Sequence, residues 1–312
     1  MAMDLRQMKY FTEVYETRSF SRAAHNINIS QPGLSKSIRL LEEYLCVKLF
    51  ERTASGVSPT VFGESLYMHA KSINAELSRA QSDIQTLNGS TQKSVSVGVL
   101  PSHAITIIPE ASLNLTNSHP GIRLQVVEKP RVDMIPALRR GEFDFAVSVL
   151  TGDEPETGIL QRELFQDRPS IIVRSSHPLF AMSSRGITEL LQYPWVLPRD
   201  GADHLLHMEE YFRTFDAILP QAIIESQSVA YLKSVVMHSD YIGILPNDTP
   251  CVEEREGLLR RLTLTGQPRK RIIGILYRED HPLSRASRYF IKEILSARKV
   301  LAEQGELATG LY

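Results

Sequence analysis

Polar side chains recur at a helical spacing in the N-terminal stretch SFSRAAHNINISQPGLSKSIRLLEEYL. The stretch contains two short apolar-periodic segments around a polar break at residues 26–30. The segment after the break places four polar side chains away from its apolar stripe: Gln31, Ser35, Lys36 and Arg39. Amide, hydroxyl and cationic groups on one helical face can contact solvent, a partner protein or DNA. The rest of the sequence has to decide among these three interpretations.

Motifs for nucleotide binding, zinc-dependent hydrolysis and nucleophilic catalysis are absent from the sequence. It contains no Gly-x-Gly-x-x-Gly, no phosphate-binding Gly-Lys-Ser/Thr, no His-Glu-x-x-His and no Gly-x-Ser-x-Gly. His204 and His207 have a spacing that metals can use, but no cysteine or acidic cluster completes a site, so we interpret them as ordinary side chains. Cys46 and Cys251 match no metal or redox spacing. We therefore expect no catalytic residue, no metal site, no cofactor and no enzymatic activity.

Length and composition favour a cytoplasmic protein of several domains. The 312 residues exceed one ordinary core, so we expect two or three domains. Apolar residues make up 42% and charged residues 23%, as in globular proteins. The net charge of −1 argues neither for nor against nucleic acid, so a local basic face would have to attract it. A signal-peptide-like N-terminus and a long uncharged apolar run are both absent, so we expect no membrane span.

Residues 1 to about 58 predict three helices and a β-hairpin. Apolar residues recur at three- and four-residue steps in the first and third helical segments: Leu5, Met8, Phe11 and Val14, and then Leu34, Ile38, Leu41 and Leu45. Ser30 suits the N-cap of the third helix, and Glu42 is assigned to its exposed polar face. A hairpin, or wing, is predicted to turn at residues 54–56.

A seven-residue apolar repeat extends over residues 60–88. It keeps a 4-3 spacing through seven positions: Leu66, Ala70, Ile73, Leu77, Ala80, Ile84 and Leu87. Thr60 suits the N-cap of this helix, and the Asn-Gly-Ser at residues 88–90 suits its end. The repeat is typical of a coiled coil, so we expect a linker helix that joins two subunits. The alternative is one amphipathic helix that packs on its own domain.

Strand and helix patterns alternate from about residue 93. Strands are predicted at residues 95–100, 122–127, 143–149, 170–173, 195–197, 222–225, 242–245 and 272–277, and helices at residues 102–117, 133–140 and 284–301. The initial order βαβαβ predicts a parallel sheet covered by helices. This region is too long for one lobe, so we expect a first lobe of about 91–162 plus 268–301 and a second of about 163–267.

The N-terminal motifs closely resemble the winged helix-turn-helix of LysR-type transcriptional regulators. The matching residues are Ala23-Ala24, Ser30-Gln31-Pro32-Gly33-Leu34-Ser35, Ile38, Leu41-Glu42, Leu49-Phe50-Glu51-Arg52 and Pro59-Thr60-Val61-Phe62-Gly63. Gly33 stands where the family usually has Ala, and Pro59 where it usually has Leu. Gly33 adds no side chain to the exposed surface of the third helix. Pro59 predicts a stiffer or differently angled joint between wing and linker.

The resemblance covers the whole chain and implies an α+α/β fold of three parts. These are a winged helix-turn-helix DNA-binding domain at 1–60, a linker (dimerisation) helix at 61–90 and an effector-binding regulatory domain at 91–312. The third part would be a two-lobed α/β domain resembling periplasmic solute-binding proteins.

The resemblance also places the exposed face of the third helix in the major groove of DNA. It implies DNA contact by Ser30, Gln31, Pro32, Ser35, Lys36, Arg39, Arg52, Thr53 and Thr60. Gln31 can address adenine or phosphate, Arg39 guanine or phosphate, and Lys36 a phosphate. The wing and linker residues would reach the flanking backbone. The alternative interpretation is that each of these residues is a polar side chain exposed to solvent, without a role in DNA binding.

Loops at the carboxyl ends of the strands predict a ligand site in the cleft between the lobes. Together with the family's use of such loops, they indicate an effector site formed by Ser102, His103, Arg131, Ser148, Arg199, Ser226 and Ser228. The basic residues among these, together with Lys129, favour a carboxylate or sulfonate effector. Basic side chains at solvated loop tips are the alternative, above all for Lys129.

The leading hypothesis is a transcriptional regulator that responds to a small-molecule effector. Its expected partners are double-stranded promoter or operator DNA, the effector, a second subunit through the linker helix, further subunits in a homotetramer, and RNA polymerase. A solute receptor would explain residues 93–300 but not the first 88, and an enzyme would lack its motifs. The effector, the operator and the sign of regulation stay open at this point.

Overall fold

A computed structural model describes the chain in nine stretches, which are residues 3–53, 56–87, 93–150, 157–182, 186–198, 203–246, 251–262, 264 and 269–303. The chain divides into two compact units, Met1–Thr91 with Arg139–Glu142, and Gln92–Leu138 with Phe143–Tyr312. Within the stretches above, no helix combines the length and apolar character needed to cross a bilayer.

The N-terminal unit contains the three helices, the wing and the linker helix that the sequence predicts. Its elements are α1 (Leu5–Thr17), α2 (Phe20–Asn26), α3 (Gln31–Leu45), β1 (Phe50–Thr53), β2 (Gly56–Pro59) and α4 (Val61–Leu87). Strands β1 and β2 pair antiparallel, with Thr53 opposite Gly56. Ala54 and Ser55 at the predicted turn, and residues 88–90 at the predicted end of the linker, lie outside the described residues.

Side-chain caps fix where these helices begin. Asp4 and Gln7 form a reciprocal capping box at the start of α1. Ser19 and Ser30 accept a hydrogen bond from the third residue of α2 and α3, respectively. Each cap satisfies a backbone N–H that has no partner within its own helix. The first residues of α1, α2 and α3 are therefore set locally by polar side chains.

One apolar core joins the three short helices to the first half of α4. Phe11, Leu34 and Leu41 are completely buried in it, as is Ala70 of α4. Gly63 in the first turn of α4 lies so close to β1 that an added Cβ would be 2.3 Å from the Leu49 carbonyl oxygen. Only glycine allows this approach, which explains its place in the motif.

The second unit contains two five-stranded sheets, which we name sheet 1 and sheet 2. Sheet 1 has the order β4-β3-β5-β12-β6 and sheet 2 the order β11-β7-β10-β8-β9. The strands are β3 (Lys93–Val99), β4 (Ile122–Glu128), β5 (Phe145–Leu150), β6 (Ile159–Asp167), β7 (Pro169–Arg174), β8 (Trp195–Pro198), β9 (Ile224–Ser226), β10 (Ile242–Pro246), β11 (Leu259–Leu262) and β12 (Arg271–Arg278).

Helices connect the strands and cover the sheets. They are α5 (Pro101–Ala104), α6 (Ile107–Ser118), α7 (Arg131–Arg139), α8 (Ile187–Leu190), α9 (Asp203–Arg213), α10 (Val229–Met237), α11 (Cys251–Arg255) and α12 (Arg285–Glu303). A short 3₁₀ turn covers Pro178–Ala181. The apolar side chains of sheet 1 form one core with α6 and α12, and those of sheet 2 form two smaller clusters.

Two sequence predictions differ from this architecture. The helix expected over residues 102–117 is two helices, α5 and α6, with a break at residues 105 and 106. Strands β6 and β11 were not expected, and β6 extends sheet 1 to Asp167, beyond the lobe boundary placed near 162. Arg162 and Glu163 of β6 are charged residues on an edge strand, so the segment lacks the apolar run that marks the inner strands.

The chain passes between the two sheets twice. It leaves sheet 1 after Asp167 and enters sheet 2 at Pro169, and it returns to sheet 1 at Arg271. Strand β12 pairs antiparallel with both β5 and β6. Arg271 and Asp167 are direct partners in that register, so the two connections lie side by side where they meet sheet 1.

Candidate DNA-binding face and effector-binding edge

The exposed face of α3 begins at a capped and rigid first turn. The Ser30 hydroxyl accepts a hydrogen bond from the Gly33 amide at 3.3 Å, and Pro32 lies within the same turn. Gln31, Pro32, Lys36 and Arg39 are exposed. Ser35 is half-buried. The helix therefore presents the predicted polar residues on the side opposite its buried leucines and isoleucine.

Gln31 and Arg39 each make a weak contact with another side chain of α3. The Gln31 amide donates to the Ser35 hydroxyl at 3.1 Å. The Arg39 guanidinium lies 3.4 Å from a carboxylate oxygen of Glu43, and both side chains are more than half exposed. Exposed pairs at this spacing contribute little to stability, so a phosphate or a base can replace either partner at low cost.

Glu42 does not belong to the exposed face, and the sequence prediction for it was wrong. One carboxylate oxygen accepts from the Leu49 amide at 2.8 Å and from the Phe50 amide at 3.3 Å. The other carboxylate oxygen pairs with the Lys48 ammonium at 2.7 Å. Glu42 is buried because it satisfies the first N–H groups of the wing, and it thereby fixes the wing against α3.

A groove between α3 and the wing adds a cation that sequence reasoning missed. Its lining residues are Phe20, Pro32, Ser35, Lys36, Ile38, Arg39, Glu42, Lys48, Phe50, Glu51 and Val57. Lys48 borders the groove with Lys36 and Arg39, and Glu51 is the exposed anion among them. The sequence feature that could have identified Lys48 as a DNA contact is its position shortly after the end of α3 at Leu45.

The remaining predicted DNA contacts divide into two groups. The Thr60 hydroxyl donates to the Lys48 carbonyl at 2.6 Å and accepts from the Gly63 amide at 3.2 Å, so it caps the linker helix as expected. Arg52 and Thr53 lie on β1, and their side chains fall outside the described part of the chain. Contact of these three residues with DNA stays a prediction.

Parallel strands bring three of the predicted effector residues to one edge of sheet 1. Strand β3 lies between β4 and β5, and Val99 is paired with Glu128 on one side and Val147 on the other. The chain continues from this row into Ser102, into Arg131 at the start of α7, and into Ser148. The carboxyl edge of sheet 1 thus collects residues from three separate segments, as the strand-end rule predicts.

Ser148 is the most deeply buried of these residues. It is 1% exposed, and its hydroxyl has no hydrogen-bond partner among the residues that the structure describes. A buried hydroxyl without a partner is uncommon, because the lost hydrogen bonds to water are not replaced. The carboxyl edge of sheet 1 therefore contains a buried and unsatisfied hydroxyl.

His103 occupies a different environment from the one expected of a cationic effector contact. Its side chain is 4% exposed and its ring lies 5.5 Å from the Phe165 ring. Burial lowers the pKa of the imidazole from its ordinary value of 6.5 to about 4; the nearby Asp167 carboxylate opposes this shift and the Arg271 guanidinium adds to it. His103 is therefore neutral near pH 7 and supplies no positive charge to the edge.

Residues from the second sheet were also predicted to face the effector. Ser228 caps α10 by accepting from the Tyr231 amide at 3.3 Å, and its own amide donates to the Ser226 hydroxyl at 3.1 Å. Both serines therefore shape the turn after β9. Arg199 lies outside the described residues. Metal-binding groups of three or more His, Cys, Asp or Glu are absent from the part of the chain described above.

A winged helix-turn-helix with an exposed polar recognition face is typical of a DNA-binding protein. The two α/β sheets that follow it, with polar residues at their strand ends, are typical of a ligand-binding domain. The chain belongs to the LysR family. Residues 5–64 match the model for the bacterial regulatory helix-turn-helix protein of the lysR family, and residues 88–299 match the LysR substrate binding domain. It is a LysR-type transcriptional regulator with a DNA-binding and an effector-binding domain, and it is not an enzyme.

Named relatives share this description along most of the chain. The HTH-type transcriptional regulator GalR of Pseudomonas putida is 27% identical over 301 residues, which cover 96% of this chain and 74% of GalR. The regulator CfxR of Cupriavidus necator is 29% identical over 287 residues, which cover 92% of this chain and 89% of CfxR. Both are regulators by name, in agreement with the domain matches.

Solved structures show the same fold. Full-length CbnR, in a complex with its target DNA, matches with a TM-score of 0.68 at 19% identity over 95% of this chain and all of that chain. A full-length OxyR variant from Pseudomonas aeruginosa matches with a TM-score of 0.66 at 22% identity over 94% of this chain and 98% of that chain. The predicted fold class, a winged helix-turn-helix with a C-terminal effector domain, is confirmed.

Proposed function

We propose that the protein controls transcription by binding promoter or operator DNA through α3 and the wing, and by binding a small organic anion at the carboxyl edge of sheet 1. The observation that carries the proposal is the polar face of α3. Gln31, Lys36 and Arg39 are exposed there beside a groove that Lys48 also lines. Such a face combines base-reading groups with phosphate-binding cations.

The geometry of α3 supports a division of roles. Gln31 and Ser35 lie in the first turn and a half, the part of a recognition helix that contacts base edges. Lys36 and Lys48 are compact cations that suit phosphates on either side of the groove. Arg39 can reach a guanine or a phosphate once it leaves Glu43. The wing residues Arg52 and Thr53, with Thr60, would contact the flanking backbone.

The edge of sheet 1 supports an anionic effector. Lys129 and Arg131 are half-buried where the chain leaves β4, at the same edge of sheet 1 as Ser102 and the buried Ser148. Two cations and two hydroxyls within one edge suit a carboxylate or sulfonate. Since His103 is neutral, the positive field rests on Lys129 and Arg131, with Arg199, Ser226 and Ser228 as the predicted contacts from sheet 2.

Apolar residues on α4 support a homodimer. Ala70 is buried in the core of its own unit, whereas Leu77 is 38% and Ile84 65% exposed further along the helix. The first half of the repeat therefore packs within the unit and the second half is available to a second subunit. A dimer formed in this way carries two DNA-binding heads, and two dimers give the homotetramer.

The remaining elements of the proposal follow from this function. Residues 1–60 act as the DNA-binding domain, 61–90 as the linker and 91–312 as the effector domain. The protein acts in the cytoplasm, where it contacts RNA polymerase at its promoters.

A footprint on the DNA upstream of the protein's own coding region tests the DNA half of the proposal. We expect protection of two half-sites, and an affinity that falls steeply between about 50 and about 200 mM salt because phosphate contacts dominate. An unprotected fragment, or binding that is indifferent to salt, contradicts the proposal.

Thermal melting tests the effector half. Benzoate and benzenesulfonate, used at millimolar concentration, should raise the melting temperature of the full-length protein, because a ligand that binds only the folded state stabilises it. Benzyl alcohol is the neutral control of similar size. Arg131→Ala should abolish the shift. Equal stabilisation by benzyl alcohol, or a shift that survives Arg131→Ala, contradicts the anion assignment and leaves the regulator assignment in place.

A further inference from the structure

A buried cluster lies where both connections between the sheets meet sheet 1. We name it the hinge cluster, and it consists of His103, Asp167 and Arg271. Asp167 is the last residue of β6 before the chain enters sheet 2, and Arg271 is the first residue of β12 after the chain returns. The two residues are partners in the strand register. One pair of side chains therefore anchors both connections.

The ion pair in this cluster has the geometry of a strong and specific contact. The Arg271 guanidinium donates to the Asp167 carboxylate through two nitrogens, at 2.8 Å and 2.5 Å. The side chains are 2% and 1% exposed. A bidentate pair removed from water tolerates little change in the position of either partner. The two connections are thus held in one arrangement for as long as the pair keeps this geometry.

His103 connects this ion pair to the proposed effector edge. Its Nε2 atom lies 3.7 Å from the Asp167 carboxylate, and its Nδ1 atom lies 3.4 Å from the Ser102 hydroxyl. The carboxylate favours the tautomer with the proton on Nε2, which leaves Nδ1 to accept from Ser102. A continuous row of polar contacts thus extends from half-buried Ser102 to the two connections.

We propose that His103 is a positioning residue that couples ligand contact at Ser102 to the arrangement of the two connections between the lobes. The proposal rests on the proposed function for the role of Ser102 as an effector contact. An anion that accepts the Ser102 hydroxyl hydrogen withdraws that hydrogen from Nδ1. The buried ring nitrogen then lacks a partner, which is costly, so the imidazole moves relative to Asp167. Since both connections are anchored there, the preferred angle between the lobes changes with it.

The coupling acts through hydrogen bonding and packing. The low pKa of His103 keeps the ring neutral in the physiological range, so the contact with Asp167 is that of a neutral imidazole beside a carboxylate. The alternative role for His103 is to fill space in the core next to Phe165. A purely space-filling ring would make the connections insensitive to Ser102, and this difference can be measured without any ligand.

A double-mutant cycle read by hydrogen exchange separates the two roles. The full-length protein is studied without ligand as wild type, Ser102→Ala, His103→Phe and the double variant. Amide exchange is followed in peptides covering residues 164–170 and 269–274, with residues 95–99 of β3 as the internal reference. Exchange reports local opening, so it is sensitive to how firmly the connections are held.

We expect Ser102→Ala to speed exchange at the connections about fivefold, a typical coupling between two sites. In the His103→Phe background the same substitution should add less than about twofold, the usual limit of additivity between independent sites. Equal effects of Ser102→Ala in both backgrounds, or no effect in the wild type, overturns the proposal. Ser112→Ala is the matched control, because it removes a half-buried serine hydroxyl that donates to the Ile108 carbonyl within α6.

A second variant keeps the test open if His103→Phe does not fold. His103→Asn retains a hydrogen-bonding group beside Ser102, but its side chain is too short to reach Asp167, so it should interrupt the coupling in the same way. No effector is used in these measurements. Failure of the cycle therefore removes the coupling alone. Failure of the melting experiment with anions removes the effector assignment, and with it the ligand that would use the coupling, but leaves the measured link between Ser102 and the connections in place.

Discussion

Arg39 is a surface cation whose partner within the protein is weak. Its contact with Glu43 is 3.4 Å long, and the two side chains are 64% and 60% exposed. Water screens such a pair, and holding both long side chains in place costs conformational entropy. The guanidinium can therefore leave Glu43 for a guanine or a phosphate with little loss. The Gln31 amide is held in a similar way, because it donates to the Ser35 hydroxyl on the same exposed helix face.

The first prediction concerns these two residues. Gln31→Ala and Arg39→Ala should each weaken specific DNA binding by about 1–3 kcal/mol, the usual value of one good base contact, with no change in folding stability. Titration of labelled upstream DNA by fluorescence anisotropy measures this. Arg213→Ala is the control, because Arg213 forms the same kind of exposed pair with Glu209 on α9. Wild-type affinity in both test variants would show that this face does not read DNA.

His103 gives the protein a pH-dependent stability of predictable sign. Burial lowers the pKa of the folded-state imidazole to about 4 from 6.5. The unfolded chain binds a proton in this interval and the folded chain does not, so stability falls as the pH drops from about 6.5 to about 4. The groups that face the ring are Asp167, Arg271 and Ser102.

The second prediction is that His103→Phe reduces this loss of stability in acid. The wild type should lose up to about 3 kcal/mol more than the variant between pH 6.5 and pH 4, from a shift of this size. Urea unfolding at several pH values measures the difference. The free energy of unfolding is compared at each pH, so that the titration of surface carboxylates, which is common to both proteins, cancels. If the free energy of unfolding depends on pH in the same way in the two proteins, the pKa of His103 is not lowered in the folded state.

At the scale of the elements, Glu42 joins the recognition helix to the wing. Its carboxylate satisfies the amides of Leu49 and Phe50 and pairs with Lys48. The wing has only two short strands, which would be marginal alone. The third prediction is that Glu42→Ala lowers the free energy of unfolding by about 2 kcal/mol, because two buried amides lose their acceptor.

The same variant should also weaken DNA binding and remove protection from the flanks of the footprint before its centre, since the wing loses its anchor on α3. Glu43→Ala is a matched control one residue along the helix. Glu43 is exposed, so its removal should change stability by less than about 0.5 kcal/mol. If both variants unfold alike, Glu42 does not anchor the wing.

The elements that sequence patterns predicted correctly are those in which local and tertiary preferences agree. The inner strands β3, β5, β10 and β12 are rich in β-branched residues and are buried on both faces. The caps at Ser30 and Thr60 follow from short-range hydrogen bonds, which sequence spacing captures. The break between α5 and α6 was missed, although Pro109 lies in the first turn of α6 and is a typical start signal.

Side-chain environments were harder to predict than elements. Helical periodicity places Glu42 among polar residues, but it cannot show that the wing, seven residues away, presents two unpaired amides. The strand-end rule places His103 at the correct edge, but the direction of its ring depends on Asp167, which is distant in sequence and lies on an unpredicted strand. Both cases depend on tertiary contacts that no local pattern encodes.

At the scale of the whole molecule, α4 has two distinct halves. Leu66 and Tyr67 pack on the core of the N-terminal unit, where the Tyr67 ring stacks on Tyr15 at 3.7 Å and its hydroxyl donates to Glu16 at 2.9 Å. Burial, together with the hydrogen bond to Glu16, raises the pKa of Tyr67, so the phenol stays protonated and keeps donating. This half is fixed to its own head, and the other half exposes apolar residues.

The fourth prediction tests the exposed half. Leu77→Asp should convert the proposed homodimer to monomers or weaken it strongly, because a charge would have to be buried in the seam. DNA affinity should fall as well, since two half-sites need two joined heads. Light scattering and anisotropy measure the two effects. Gln81→Asp is the control, with the same charge added at an exposed position off the heptad seam. A dimeric Leu77→Asp protein with wild-type affinity would place the subunit contact elsewhere.

The strand order of sheet 1 has a consequence for the growing chain on the ribosome. Among the strands that the structure describes, β6 is paired with β12 alone, and β12 emerges only after all of sheet 2 has been synthesised. A nascent chain that has reached residue 262 can complete sheet 2, but its β6 still lacks the neighbour that will cover its edge. Synthesis therefore favours a fixed order, with sheet 2 folding as an inserted unit and sheet 1 closing last. During that interval the edges of β5 and β6 that β12 will pair with are both open to a chaperone or to a neighbouring nascent chain.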